Sequence, residues 1–259
     1  MISIIDKKKL ISLICELGTE VEGIKKNSTK ISVEYKKDKS PLTMADKLVN
    51  EEITKFILRT NFPNFISEES ALKNYQYRKY WEYYWVIDPI DGTKEFIKQG
   101  QDYTINIALC AKNYPIFSVV YAPARNELFH ATIGDNAHLN NKKIGVNTKC
   151  SNKLNVVASS SHFDEKTSVY LSKLKKYKEI NLMKFGSSLK ICKVAAGNAD
   201  IYPRFGPTME WDTCAAHLIL SEAGGEIIKM NGSSLHYNKK HLANPNFIAK
   251  SKKFKTIFP

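Results

Sequence analysis

The sequence predicts a mixed α+β and α/β protein in two parts: a helix pair laid on an antiparallel sheet, then a half in which strands and helices alternate. Three observations carry this. Apolar residues recur twice at helical spacing near the N-terminus, four short strand-like segments follow one another before about residue 131, and after about residue 150 the two patterns take turns.

Leu10, Leu13/Ile14, Leu17, Val21 and Ile24 share one helical face, so residues 4–25 read as an amphipathic helix, with Gly23 and Asn27-Ser28 helping to end it. The lysine-rich stretch 35–39 reads as a loop or hairpin tip. A second helix starts near Thr43, whose spacing to Asp46 resembles a capping box. It turns Val49, Ile53, Phe56 and Ile57 inward and stops before Phe62-Pro63. Strands are expected at 84–88, 103–111, 116–121 and 127–131, with Pro89 ending the first and Asn113 and Pro115 punctuating the turn into the third. Tyr103, Ile105, Ile107 and Leu109 alternate with Thr104, Asn106 and Ala108, the period of a sheet with two unlike faces. Beyond residue 150 the expected order is strand 155–159, helix 165–177, strand 180–185, helix 188–196 and strand 201–202. A helix at 212–223, closed by Gly224-Gly225, and a strand at 226–230 complete it. There is no repeat and no low-complexity linker, so the halves 1–150 and 151–259 are expected to share one extended core.

The 259 residues are enough for that core, and 43% apolar with 25% charged residues is ordinary for a globular chain. No apolar run approaches the roughly 18–20 residues that span a bilayer. The N-terminus turns charged too soon for a signal peptide. Five cysteines (Cys15, Cys110, Cys150, Cys192 and Cys214) form no C-x-x-C pair, which suits a reducing compartment, expected to be the cytoplasm. Cys110 and Cys214 lie in apolar patterns and read as core. Of the 39 basic residues behind the net charge of +13, only Arg59, Arg78, Arg125 and Arg204 are arginine, and the lysines are spread along the chain. That pattern describes a solvated surface able to attract an anionic substrate, not a specific nucleic-acid reader. It also allows peripheral association with the cytoplasmic face of the inner membrane, although no amphipathic anchor marks it. Monomer and homodimer remain equally open.

The chemistry gathers at Trp85-Val-Ile-Asp88-Pro89-Ile90-Asp91-Gly92-Thr93, preceded by Ser67-Glu68-Glu69 and followed far downstream by Glu210-Trp211-Asp212-Thr213. No His or Cys lies in these segments, and oxygen-only donors suit a hard cation such as Mg²⁺ rather than zinc or copper. Glu68, Asp88, Asp91 and Asp212, placed together, would repel one another unless cations neutralised them. Two metals ~3.5–4 Å apart would do so and would clamp the attacking and leaving oxygens of a phosphate ester. The Ile90 carbonyl, exposed at a bend, would add a donor. The plainer reading is a capped turn with solvated acids. Thr93 serves either as a helix N-cap or, with the Gly92 amide, as a phosphate holder whose hydroxyl orients a water near Glu68. Asp212 opens a helix as an N-cap, binds metal, or does both. Gly186-Ser187-Ser188 precedes another helix, where amides and hydroxyls would hold a phosphate or ribose oxygen. The six histidines (His130, His138, His162, His217, His236 and His241) show no metal spacing, and His217 reads as packed on an apolar helix. There is no P-loop, dinucleotide-binding glycine motif or Ser-His-Asp arrangement.

Glu68-Glu69, Asp88-Pro-Ile-Asp-Gly-Thr93, and Trp211-Asp212 with Gly224-Gly225 together resemble the inositol monophosphatase superfamily of lithium-sensitive, Mg²⁺-dependent phosphatases. The resemblance runs from the first helix to Phe247. It implies the layered αβαβα sandwich of the inositol monophosphatase/fructose-1,6-bisphosphatase type. Lys94-Glu-Phe-Ile-Lys98, Val119-Val-Tyr-Ala-Pro123, Gly186-Ser-Ser-Leu-Lys190 and Tyr202-Pro-Arg-Phe-Gly-Pro207 resemble one branch, the CysQ-type bacterial 3'(2'),5'-bisphosphate nucleotidases. What this implies is hydrolysis of adenosine 3',5'-bisphosphate (PAP), or its sulfated relative PAPS, with two or three Mg²⁺ ions. By motif position, Glu68, Asp88, the Ile90 carbonyl, Asp91 and Asp212 would bind metal. Glu68 and Thr93 would activate water, Asp46 would buttress Thr93, and the Gly92 and Thr93 amides would hold phosphate. Gly186, Ser187 and Lys190 would lie near the nucleoside, with Arg204 a salt-bridge partner or a contact there. The departure at Cys214-Ala-Ala216, where relatives usually carry Ala-Ala-Gly, touches helix packing alone. Two rivals follow: a sugar-phosphate phosphatase of the same superfamily, and a basic nucleic-acid-binding protein without catalysis.

Overall fold

Leu10, Ile14, Leu17 and Val21 form the buried face of α1 (Ile4–Asn27) in a computed structural model that describes residues 2–27, 31–36, 40–149, 151–159 and 164–254. The readings made above for Ser28, residues 37–39, Cys150 and His162 lie outside the described residues. A hairpin of β1 (Val33–Tyr35) and β2 (Pro41–Thr43) pairs only with itself. It leads into α2 (Met44–Leu58), where Thr43 and Asp46 complete the expected capping box.

A seven-stranded sheet follows in the order β3 (Phe65–Ser67), β4 (Tyr83–Asp91), β5 (Thr104–Ala111), β6 (Tyr114–Ala122), β7 (Glu127–Thr132), β8 (Ala137–Leu139) and β9 (Lys142–Ile144). Two short helices, α3 (Tyr75–Arg78) and α4 (Thr93–Ile97), flank β4, and a 3₁₀ turn (Pro123–Arg125) follows β6. The sheet is antiparallel except at its edge, where β3 runs parallel to β4. That corrects the all-antiparallel expectation: a three-residue apolar strand has too short a pattern to register. The two faces of β5 are unlike, as the alternation predicts, but both are covered. Ile105, Ile107 and Leu109 pack toward α1 and α2, Ala108 and Cys110 toward the second half.

The second half contains β10 (Lys153–Ser159), α5 (Glu165–Lys175), β11 (Glu179–Phe185), α6 (Leu189–Ala195), β12 (Ile201–Arg204), α7 (Glu210–Glu222), β13 (Gly225–Lys229) and β14 (Phe247–Ser251). Its sheet is ordered β11-β10-β12-β14-β13, parallel among β10, β11 and β12 and antiparallel around β14. β14 was not foreseen, because an isolated five-residue run after a loop carries no periodic signal. α6 and α7 lie in a core shared with both sheets, and Leu154, Val156, Ile201 and Ile248 pack α5 against the outer face of the second. The layers are therefore α1/α2, seven strands, α6/α7, five strands and α5, the expected αβαβα sandwich. His217, on α7, is buried with Nδ1 2.9 Å from the Tyr237 hydroxyl, and burial lowers its pKa to about 3. It is a packed residue, as read.

Candidate active site

Parallel pairing brings the first two carboxylates together. Ser67 pairs with Ile87 and the Glu68 N–H donates to the Ile87 carbonyl at 3.2 Å, so Glu68 leaves β3 beside Asp88. Pro89 was expected to end β4 because it lacks an N–H, but the strand runs through it to Asp91. Asp88 pairs with Asn106 and Asp91 with Thr104, so three steps on one strand match two on the other. Positions three apart point to opposite faces of a regular strand. The extra residue is a bulge that brings both acids to one cavity, with Pro tolerated where the ladder is already broken. Gly92 then turns the chain at φ +93°, where a Cβ is strained.

α7 delivers the acid from the second half. Asp212 is not its N-cap: the helix starts at Glu210, and Asp212 sits in its third position, accepting the Met209 N–H at 2.9 Å. Buried Glu210 secures that start by accepting the Asn238 and Lys239 amides at 2.6 and 2.9 Å and the Lys239 ammonium at 2.6 Å.

Oxygens of Glu68, Asp88 and Asp212 lie within 4.8 Å of one another. Asp91 lines the same cavity of about 500 Å³, with Oδ2 accepting the Ser188 N–H at 2.6 Å. Burial pushes Asp88 and Asp212 well above the usual carboxylate range, and neighbouring charges add to it, Glu68 and Asp91 acting on the former and Asp91 and Glu68 on the latter. Burial also raises Asp91, against the pull of Lys190 and the Ser188 amide. Asp88 Oδ1 is buried with no hydrogen-bond partner among the described residues. A group of carboxylate oxygens short of positive charge, with one oxygen orphaned, fits a hard divalent cation.

Thr93 is the first residue of α4, not its cap. Its hydroxyl lies 3.0 Å from the Ile90 carbonyl and 3.3 Å from Asp46 Oδ1. Asp46 is buried and raised by that burial, while Thr43 holds its other oxygen through N–H and hydroxyl bonds of 2.8 and 2.5 Å. At the carboxyl ends of β10, β11 and β12, Ser159, Gly186 and Arg204 also line the cavity. Lys190 is buried, reaches the Ser187 carbonyl at 2.5 Å and is lowered to about 8 by burial, against the attraction of Asp91. Arg204 donates to the Pro207 carbonyl at 2.8 Å, and its buried Nε has no hydrogen-bond partner among the described residues.

Lys36 was missed as a lining residue. Lys36 Nζ, from the end of β1, lies 2.7 Å from both Glu68 and Glu69. Burial opposes its charge, yet hydrogen bonds and attraction to the two carboxylates outweigh it and raise its pKa. Burial raises Glu69 to about 7 despite Lys36. Nothing in a lysine-rich run singles out one ammonium; only the hairpin's position does.

The chain belongs to the inositol monophosphatase family, whose pattern matches residues 7–257. It is 40% identical over 240 residues to the 3'(2'),5'-bisphosphate nucleotidase CysQ of Buchnera aphidicola subsp. Acyrthosiphon pisum, covering 89% of this chain and 88% of the relative. It is 36% identical over 249 residues to the protein of the same name from Escherichia coli K12, covering 92% and 98%. Among solved structures it is similar to CysQ from Bacteroides thetaiotaomicron, a bacterial member of the family, with TM-score 0.84, 34% identity and coverage of 97% and 99%. It shares the fold of the Thermotoga maritima IMPase at TM-score 0.80 and 24% identity, covering 95% and 92%.

Proposed function

We propose that this chain is a Mg²⁺-dependent 3'(2'),5'-bisphosphate nucleotidase that hydrolyses PAP to AMP and phosphate, and PAPS by the same route. The observation that carries the reading is one cavity lined by two poles of charge, the carboxylates Glu68, Asp88, Asp91 and Asp212 and the cations Lys190 and Arg204. A nucleotide with two phosphates presents one anion to a metal held by the carboxylates and a second to the cations. The similarity to CysQ nucleotidases over most of the chain supports it.

Glu68, Asp88, Asp91, Asp212 and the Ile90 carbonyl would hold two or three Mg²⁺ ions. Bound there, the cation supplies Lewis acidity toward the phosphoryl oxygens and the charge that lets the carboxylates ionise together. The chain's own part is to place and deprotonate the water. Thr93 directs its hydroxyl hydrogen to Asp46 or the Ile90 carbonyl, which leaves its oxygen to accept from a water. Glu68, once released by Lys36, faces the same water and takes its proton. The Gly92 and Thr93 amides hold the transferred phosphate, and Gly186, Ser187 and Lys190 hold the nucleoside side. Residues 1–150 would thus carry most of the chemistry, and residues 151–259 would supply Asp212 and the nucleoside wall. No described helix is long and apolar enough to cross a membrane, and the described cysteines are free thiols, which suits the cytoplasm.

Phosphate release from PAP, inositol 1-phosphate and fructose 1,6-bisphosphate, each with Mg²⁺, with EDTA and with added Li⁺, tests the reading. Mg²⁺-dependent, Li⁺-inhibited turnover strongest on PAP is expected. Preference for a sugar phosphate would keep the site and overturn the substrate; inactivity on all three would overturn both.

A further inference from the structure

The turns at Gly92 and Gly186 belong to different halves of the chain, yet they rest on one residue. A Cβ on Gly92 would lie 2.9 Å from the Asp102 carbonyl oxygen, and one on Gly186 would lie 2.5 Å from the same oxygen. The Asp102 side chain fastens the second turn, its Oδ2 accepting the Gly186 N–H at 2.9 Å. Its Oδ1 accepts Arg125 Nε at 2.9 Å and also Nη2. Arg125 is the last residue of the 3₁₀ turn after β6, and its guanidinium lies 5.6 Å from the ring centroid of Phe185, the final residue of β11. A neutralised carboxylate therefore ties the entry to β5, beside the Asp91-Gly92 bulge, to the turn that follows β11.

That turn is under constraint. Ser187 takes φ +46°, unusual for a residue with a Cβ. The next amide, Ser188 N–H, is thereby aimed at Asp91 Oδ2, while Lys190 folds back on the Ser187 carbonyl. The carboxylate pole and the cationic pole share Asp102 as their common reference point. Neither Asp102 nor Arg125 lines the cavity itself.

We propose that Asp102, held by Arg125, is a positioning residue that sets the spacing between the two poles and so the preference for a substrate with two phosphates. This rests on the nucleotidase reading given above. Asp102→Asn loses the charged acceptor at nearly constant size, and Arg125→Met loses its partner. Both should raise KM for PAP about tenfold with kcat within about twofold, the scale of one lost charge-assisted hydrogen bond. KM for adenosine 3'-monophosphate, which has the same scissile ester and no 5'-phosphate, should move less than about twofold, and Arg125→Lys should recover part of the loss. In the ligand-free protein, amide hydrogen exchange across residues 186–190 should quicken about tenfold in Asp102→Asn, with that of β5 unchanged. Equal losses on both substrates would mark a merely structural role, and unchanged exchange across 186–190 would overturn the positioning claim. A wild type inactive on PAP would sink the nucleotidase reading and, with it, the stated preference; the exchange data would still decide whether Asp102 holds the turn.

Discussion

Asp88 is grouped with Glu68 and Asp212, with one buried oxygen unpaired among the described residues, so the metal-free site stores repulsion that the rest of the fold must offset. An acid whose native pKa stands above its unfolded value keeps a proton that the unfolded chain has released. Stability then falls as pH rises from about the ordinary value of 3.8 toward the raised one, and the metal-free protein is most stable at the acid end of that window. Asp88→Asn should therefore raise the melting temperature in EDTA, by roughly 2–4 °C per kcal/mol gained, and more at pH 8 than at pH 5. Thermal melts of both proteins at the two pH values check this; an Asp88→Asn Tm below that of the wild type at pH 8 would contradict it. Asp91→Asn should cost roughly 10²–10³ in kcat while circular dichroism stays native, since it removes charge where the phosphoryl group reacts. Near-normal turnover at saturating Mg²⁺ would remove Asp91 from the site. Every residue in these predictions was legible in the sequence, because acids, Pro and Gly at fixed spacing announce a turn. Lys36 and Asp102 were not, because each acts through partners distant in the chain.

At the scale of elements, the bulge in β4 and the turn behind it do what side chains alone cannot. Gly92 has no room for a Cβ beside the Asp102 carbonyl and sits at positive φ. Gly92→Ala should destabilise the protein by about 1–3 kcal/mol and lower kcat, read by urea unfolding and steady-state rates. A stable, fully active variant would mean the turn can relax. α1, α2, α5, α6 and α7 were readable to within a few residues from their apolar patterns, whereas the four-residue α3 is too short to show one and was not foreseen. The errors fell where local rules compete. Pro89 was read as a strand stop although a bulge accommodates it, and Asp212 as the N-cap although it bonds back to Met209 from the third position of α7. β14 pairs with both β12 and β13 and could be placed only by them.

For the whole molecule, the chain carries a net charge of +13 around the cavity proposed to take a polyanion. Raising ionic strength from ~20 to ~200 mM should lower kcat/KM for PAP several-fold with little change in kcat, because screening weakens steering but not chemistry. A salt-independent kcat/KM would show that the lysine surface does not guide the substrate. The two halves were legible from the change of pattern near residue 150, whereas the αβαβα layering came only from the family resemblance, and the docking of α6 and α7 between the sheets needed three dimensions. That docking has a temporal consequence. Glu68 leaves the edge of the first sheet and Asp212 rides a helix pressed between both, so a chain in synthesis that has not yet reached α7 lacks a complete cation cradle. On the proposed metal site, metal uptake would report finished assembly, and activity would wait until the last layers had closed.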